Sequence, residues 1–317
     1  EELSRYGINI VRMHYVSHRT PKEGYPFFDS FIVPVQLERF DYLFAKLKEK
    51  GIHIYFQLNI ARKVSWVNGF VNAHLLPYYK NGIDNVNERM VYLQKKFHGE
   101  ILNHINPYTG IAYKDDTSIS MMELANENSI VHSWFSPKHK FTALVEPYKS
   151  EIIEIWNDWL FDKYGDMETL RTAWGKGTEA NVDEILPKSK NFKKKNIDWP
   201  YKYNWSRFPQ RANDFTEFLA GLESKYFADL YANTKVNLKI RQPVTGTQLG
   251  YGFNRAQAAT DYCDIHGYWC HPAFPGGKWN NAHWNLRNGS VVNSYGHPGN
   301  TFTKMAQARI LGKPFTV

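Results

Sequence analysis

Asn126-Glu127-Asn128 closes the run "SISMMELANEN", Ser118 to Asn128. The first part is apolar enough for a buried strand. A strand over Ser118–Glu127 would then carry a carboxylate at its tip, flanked by two amides. Such an acid, surrounded by polar groups and aromatics, has its pKa raised by desolvation and can act as a general acid. The neighbouring Asn126 can hydrogen-bond a substrate hydroxyl. Glu123, four residues earlier, falls on the same side of an alternating strand but about 13 Å deeper, and reads as structural.

Other apolar runs end in polar groups too. "VRMHY" offers Arg12 and His14, "FQLN" ends in Asn59, and "TGTQ" ends in Gln248. "DIHGYW" offers His266, Tyr268 and Trp269. Each type has an ordinary structural use, Asn as a helix cap for example. Gathered at one rim they imply a ligand, because each buried polar group left unsatisfied costs stability. His14, His18, His266 and His271 could be imagined as metal ligands. No H-x-H pair exists among them, and they come with Asn, Gln and Trp rather than Asp, so no catalytic metal or cofactor is expected.

The elements that must position these residues alternate. "GINIVRMHY" reads as a strand with Ile8, Ile10 and Val11 buried, preceded by the tail of a helix that Gly7 closes. "VPVQLERFDYLFAKLKEKG" reads as an amphipathic helix: Pro34 suits its first turn, Leu37, Phe40, Leu43, Phe44 and Leu47 form one face, and Gly51 stops it. "IHIYFQLN" is the next strand. Helices are expected near Val86–His104, Gln210–Thr234, Arg255–Tyr262 and Thr303–Leu311, and strands at Pro243–Gln248, Asp264–Trp269 and in "KPFTV". Strict alternation implies a parallel α/β sheet with right-handed crossovers, in a (β/α)8 TIM barrel or a doubly wound sheet. No Gly-rich phosphate loop follows a strand, which weakens the nucleotide-binding form. Residues 1–317 read as one barrel domain, with an insertion at about 129–209 that holds a helix around Tyr148–Tyr164. Insertions on that face shape a barrel's active site.

Composition narrows the chemistry. Aromatic residues make up 16% of the chain, and their faces stack on flat apolar surfaces, including the CH faces of sugars. The net charge of +8 is concentrated in "KSKNFKKKN", Lys188 to Asn196, a solvated loop face with no nucleic-acid motif beside it. No apolar run is long enough to span a membrane. Cys263 and Cys270 would lie roughly 20 Å apart on one strand, well beyond disulfide reach, so two free thiols are expected.

With these residues in hand, the chain resembles the clan A glycoside hydrolases, the retaining (β/α)8 group. "ELANEN" resembles the Asn-Glu signature that ends the fourth barrel strand, where Glu is the acid/base. "NPYTGIAYKDD" is similar to the segment leading into that strand in family 5. "NIVRMHY" resembles strand two, whose Arg supports the catalytic carboxylates, and "DIHGYW" resembles strand six. "WLFDKYGDMETLRTAWG", Trp159 to Gly175, is similar to a helical segment of family 42 enzymes. The resemblance implies β-glycosidic cleavage with Glu127 as acid/base and Asn126 on the sugar 2-hydroxyl. Arg12, His266 and Tyr268 would tune the nucleophile; Trp269 and Trp134 would stack on sugar rings. His14, Asn59 and Gln248 would complete the binding site for an oligo- or polysaccharide. Retention needs a second carboxylate about 5–5.5 Å away. The resemblance puts that Glu just after Val317, with other parts of the parent chain completing the barrel, and it suggests a secreted or periplasmic enzyme. A carbohydrate-binding barrel without catalysis is the alternative, and a metal-dependent barrel hydrolase is a third.

Overall fold

The computed structural model describes residues 1–14, 32–59, 64–76, 83–135, 144–200, 206–250, 252–267, 272–277, 279–286 and 300–317. One helical turn, α1 (Glu2–Arg5), precedes strand β1 (Ile10–His14). Helix α2 (Pro34–Glu49) opens with Pro34 in its first turn, where a missing N–H leaves no bond unmade. It buries Phe40, Phe44 and Leu47, while Leu43, at the edge of that stripe, is half exposed. Strand β2 (His53–Gln57), helix α3 (Glu88–Asn103) and strand β3 (Ile119–Glu123) follow. The side chain of Asn87 caps α3 by accepting from the Met90 N–H.

Beyond β3 come α4 (Ile130–Phe135), α5 (Tyr148–Tyr164), α6 (Met167–Gly175) and the long α7 (Pro209–Ala232). The chain then runs through β4 (Val244–Thr245), β5 (Gln248–Leu249) and β6 (Cys263–Ile265) to α8 (Asn300–Ile310) and β7 (Phe315–Thr316). The expected helix near Arg255–Tyr262 is a 3-10 segment, Asn254–Ala259.

All pairings among the seven strands are parallel, in two sheets ordered β1-β2-β3-β4 and β5-β6-β7. Only Gly246 and Thr247 separate β4 from β5, so one segment carries the wall from the first sheet to the second. A Cβ at Gly246 would meet Gln257 Oε1 at 2.3 Å and Phe227 Cδ1 at 2.9 Å, so this crossing needs a residue without one. The strands therefore follow one another across the wall in chain order, with their C-terminal ends on one edge. Among the described residues β1 and β7 each pair on one side only. Ile8 and Ile10, expected in the core, are 39% exposed, as suits a segment whose outer side has no strand partner there.

A large apolar core runs from Met13 to Ala256, and its strand residues Met13, Ile54, Phe56, Met122 and Val244 share one face of the first sheet. Part of it is an aromatic stack between α5 and α7. Trp156 is fully buried, stacked on Trp159 at 5.4 Å between centroids and meeting Phe215 edge-on at 5.3 Å. The basic tract folds back on α5, with Lys195 reaching Glu154 and Asp158 at 2.9 Å each. Cys263 is a buried free thiol, and Cys270 lies outside the described residues. Among the described residues no helix is long and apolar enough to cross a membrane. Replacing Trp156 by Ala should lower unfolding stability by about 3–5 kcal/mol in urea titrations. A loss below about 1 kcal/mol would show that this aromatic stack does not hold α5 to α7.

Candidate active site

The turn after β3 is built from main-chain hydrogen bonds that change partner. The amides of Leu124 and Ala125 still pair with the β4–β5 segment, donating to Thr245 O at 3.0 Å and Gly246 O at 2.9 Å. Asn126 then turns to the opposite neighbour and donates to Asn59 O at 2.8 Å. The regular strand thus ends at Glu123, not at Glu127 as expected, and Asn126-Glu127 form a turn. The next two amides are held by side chains. Glu127 N donates to Gln248 Oε1 at 2.6 Å, and Asn128 N to Thr247 Oγ1 at 3.1 Å. Glu127 has a φ of 45°, in the left-handed region. That region costs a residue with a Cβ about 1–2 kcal/mol and persists where surrounding contacts over-determine it.

Beneath the turn lies a charged floor. The Arg12 guanidinium forms an ion pair with Glu123 and donates to Asn126 Oδ1 at 2.9 Å. The Gln248 amide nitrogen donates to Glu123 Oε1 and, at 2.8 Å, to Asp264 Oδ2. Asp264 also accepts from Tyr55 at 3.0 Å and from Thr316 at 2.7 Å. Burial pushes the Glu123 carboxyl up, and the Asp264 charge adds to the shift while Arg12 opposes it. Burial also works against the Arg12 charge, but Glu123 outweighs it and holds the guanidinium above its ordinary value.

Only part of this cluster reaches solvent. Glu123 is fully buried and Asp264 is 3% exposed, whereas 22% of the Glu127 side chain is open. Glu127 Oε1 shares a hydrogen bond with His266 Nδ1 at 2.8 Å, and the other ring nitrogen of His266 lies 3.7 Å from Asp264 Oδ2. Glu127 is thus the accessible carboxylate above the two buried ones.

Five expected residues therefore converge: Arg12, Asn126, Glu127, Gln248 and His266. Not every expected residue takes the role read for it. Gln248 is 1% exposed and acts between protein groups. Asn59 holds the Asn126 amide through its carbonyl, and its side chain donates to Gln94 at 3.3 Å inside the core, so it is no surface for a sugar. His14 pairs with Gln57 at 3.0 Å, and burial lowers its pKa, which favours the neutral ring. Trp134, expected to stack on a sugar, is 2% exposed and packs edge-on against Phe215 at 4.8 Å; α4 turns its ring into the core. Tyr268, Trp269, His18 and His271 lie outside the described residues. Asp264, Tyr55 and Thr316 went unread in the sequence. The available signal was a lone Asp beginning an apolar strand, where a charge must find partners. No group of three metal-ligating side chains occurs among the described residues.

No family model and no curated protein sequence matches the chain. Solved structures do. A β-galactosidase from the psychrophilic Marinomonas ef1 superposes with a TM-score of 0.56 at 13% identity, over 84% of this chain and 37% of that one. The two share a fold. A cold-adapted β-galactosidase from Rahnella sp. R3 gives 0.47 at 12% identity, over 82% of this chain and 35% of that one. An endo-1,4-β-D-mannanase from Thermotoga petrophila RKU-1 gives 0.31 at 18% identity, over 80% and 75%. The chain spans just over a third of the length of the two β-galactosidases.

A further carboxylate stands behind the turn. Glu223 of α7 is fully buried, and burial pushes it up to about 7, against hydrogen bonds from Ser129 and from the backbone of residues 130, 131 and 253. Between about pH 4.5 and 7 the folded chain keeps a proton on this group that the unfolded chain has released. The group therefore withdraws stability as pH rises through that window. Glu223→Gln removes the effect. Its stability relative to the parent chain should rise by roughly 2–3 kcal/mol between pH 4 and 8, read from urea midpoints. A difference that stays constant with pH would contradict the shift.

Proposed function

We propose that the chain is the catalytic part of a retaining glycoside hydrolase acting on β-linked glycans, on a TIM-barrel wall, with Glu127 as acid/base. One observation carries the reading: Glu127 is the accessible carboxylate over a buried charged floor at the C-terminal edge of a parallel sheet, the edge where barrel and open α/β folds place their chemistry. The shared fold with a β-galactosidase and the Asn-Glu sequence signature agree with it.

In the first step Glu127 gives its proton to the glycosidic oxygen as the bond from that oxygen to the anomeric carbon breaks. A second carboxylate takes the anomeric carbon. In the second step Glu127, now ionised, accepts a proton from water, which displaces that carboxylate and restores the starting state. His266 fixes the Glu127 carboxylate through Oε1. Arg12 holds Asn126 by donating to its Oδ1, which orients this side chain toward a sugar hydroxyl. Glu123 and Asp264 are committed to the floor and are not the second carboxylate. β7 runs beside β6 with Thr316 level with Asp264. A Glu two positions past Thr316 in the parent chain would stand level with His266, next to Glu127.

The test is Glu127→Gln in the full chain. Turnover of phenyl β-glycosides should fall by about 10²–10⁴-fold, the usual worth of a general acid. The loss should shrink on dinitrophenyl β-glycosides, whose leaving group needs no proton. Unchanged turnover on both substrates removes the assignment. Prolonged dialysis against a chelator should leave the rate of the parent chain unchanged; a rate that vanishes and returns with added zinc would point instead to metal-assisted hydrolysis.

A further inference from the structure

We propose that Glu223 is a positioning residue for this reaction, clamping the turn after β3 to the loop after β5 and so holding Glu127 in its left-handed conformation. The inference rests on the acid/base role given to Glu127.

A turn of this kind is fixed by its two ends. The upstream end is secured by main chain, Asn126 N on Asn59 O. The downstream end is Ser129, just before α4, and its hydroxyl donates to Glu223 Oε2. The same hydroxyl accepts from Val131 N at 3.1 Å, while Ser133 N and Oγ both bond to Ser129 O at 3.0 Å. Ser129 is therefore bonded firmly to α4, and Glu223 ties that assembly to α7. The other carboxylate oxygen accepts from Phe253 N at 2.8 Å. Phe253 belongs to the loop that follows β5, the strand that supplies Gln248. One side chain thus links the segments bearing Glu127 and Gln248, whose mutual bond sets the Glu127 amide.

The fit is close enough to restrict the neighbours. A Cβ at Gly252 would meet Glu223 Oε1 at 2.1 Å and Ser129 Oγ at 3.0 Å. Only glycine lets the loop approach the carboxylate this far. A buried helix residue used purely for packing would be apolar; a carboxylate at this depth is retained only where donors converge on it. Its donors come from the two segments that the reaction needs aligned, and from no third one among the bonds described.

The test uses Glu223→Gln in the full chain, which keeps the side-chain volume but removes the charge and one acceptor oxygen. Amide hydrogen exchange at residues 127–131 should quicken by about tenfold or more while the amides of β2 and β3 keep their protection. With phenyl β-glycosides, kcat should fall about tenfold with KM within about twofold, since the substrate still binds but the acid is misplaced. Unchanged exchange at the turn overturns the proposal. Faster exchange with unaltered kcat overturns it as well, because the clamp would then be structural only. If the Gln variant does not fold, Ser129→Ala removes one donor and is judged by the same two measurements. A failure of the underlying reading is separate and visible: Glu127→Gln would then turn over normally, whatever Glu223→Gln does.

Discussion

Two buried carboxylates, Glu123 and Asp264, share one amide donor, Gln248, and the Arg12 guanidinium pairs with Glu123. Carboxylates cost several kcal/mol each to take out of water, and that cost is met only when opposite charge and donors surround them. Here the partners come from separate strands: Arg12 from β1, Tyr55 from β2, Gln248 from β5 and Thr316 from β7. The ion pair and its donors can form only when nearly the whole wall is assembled in register. A slip of one residue in any strand would turn its polar member to the opposite face and leave a charge without a partner.

Gln248 is where that floor meets the turn. Its amide nitrogen donates to both carboxylates, and its amide oxygen receives the Glu127 N–H. A carboxylate in its place would repel Glu123 and Asp264, and a cation could not accept from the backbone. Only a primary amide on a side chain of this length offers donors at one atom and an acceptor at the other. The position of Glu127 is thereby referred to the buried charges rather than to the loop around it. That arrangement gives an accessible carboxylate the precision of the strands while leaving it open to solvent.

The parallel strands and most helices were legible in the sequence, because apolar runs of strand length and the stripe of Phe40, Phe44 and Leu47 report on local periodicity alone. Glu127 was legible for the same reason: it interrupts such a run. Residues whose role depends on pairing across the chain were not. Arg12 was expected at the site and Glu123 to be structural, but their mutual ion pair, 111 positions apart, has no local signature in "SMMELA". Glu223 is hidden in the same way, since a Glu in a long helix normally faces water. Trp134 misled in the opposite direction. Its place just after the strand tip suggested the site, but the start of α4 rotates it into the aromatic core.

The break at Asn126 explains why the acid is carried on a turn. Had β3 continued with a period of two, Glu127 would have followed Glu123 onto the same face, adding another carboxylate to a region already rich in negative charge. The change of partner from Gly246 O to Asn59 O, followed by a residue at positive φ, ends that alternation. Glu127 comes out partly open beside His266 while Glu123 stays sealed below. The strain at Glu127 is thus the local cost of separating two carboxylates four residues apart into one that balances charge and one that meets solvent. A segment in which both jobs fall so close together needs such a break, and the side-chain bonds from Gln248 and Thr247 to the turn are what keep it from relaxing.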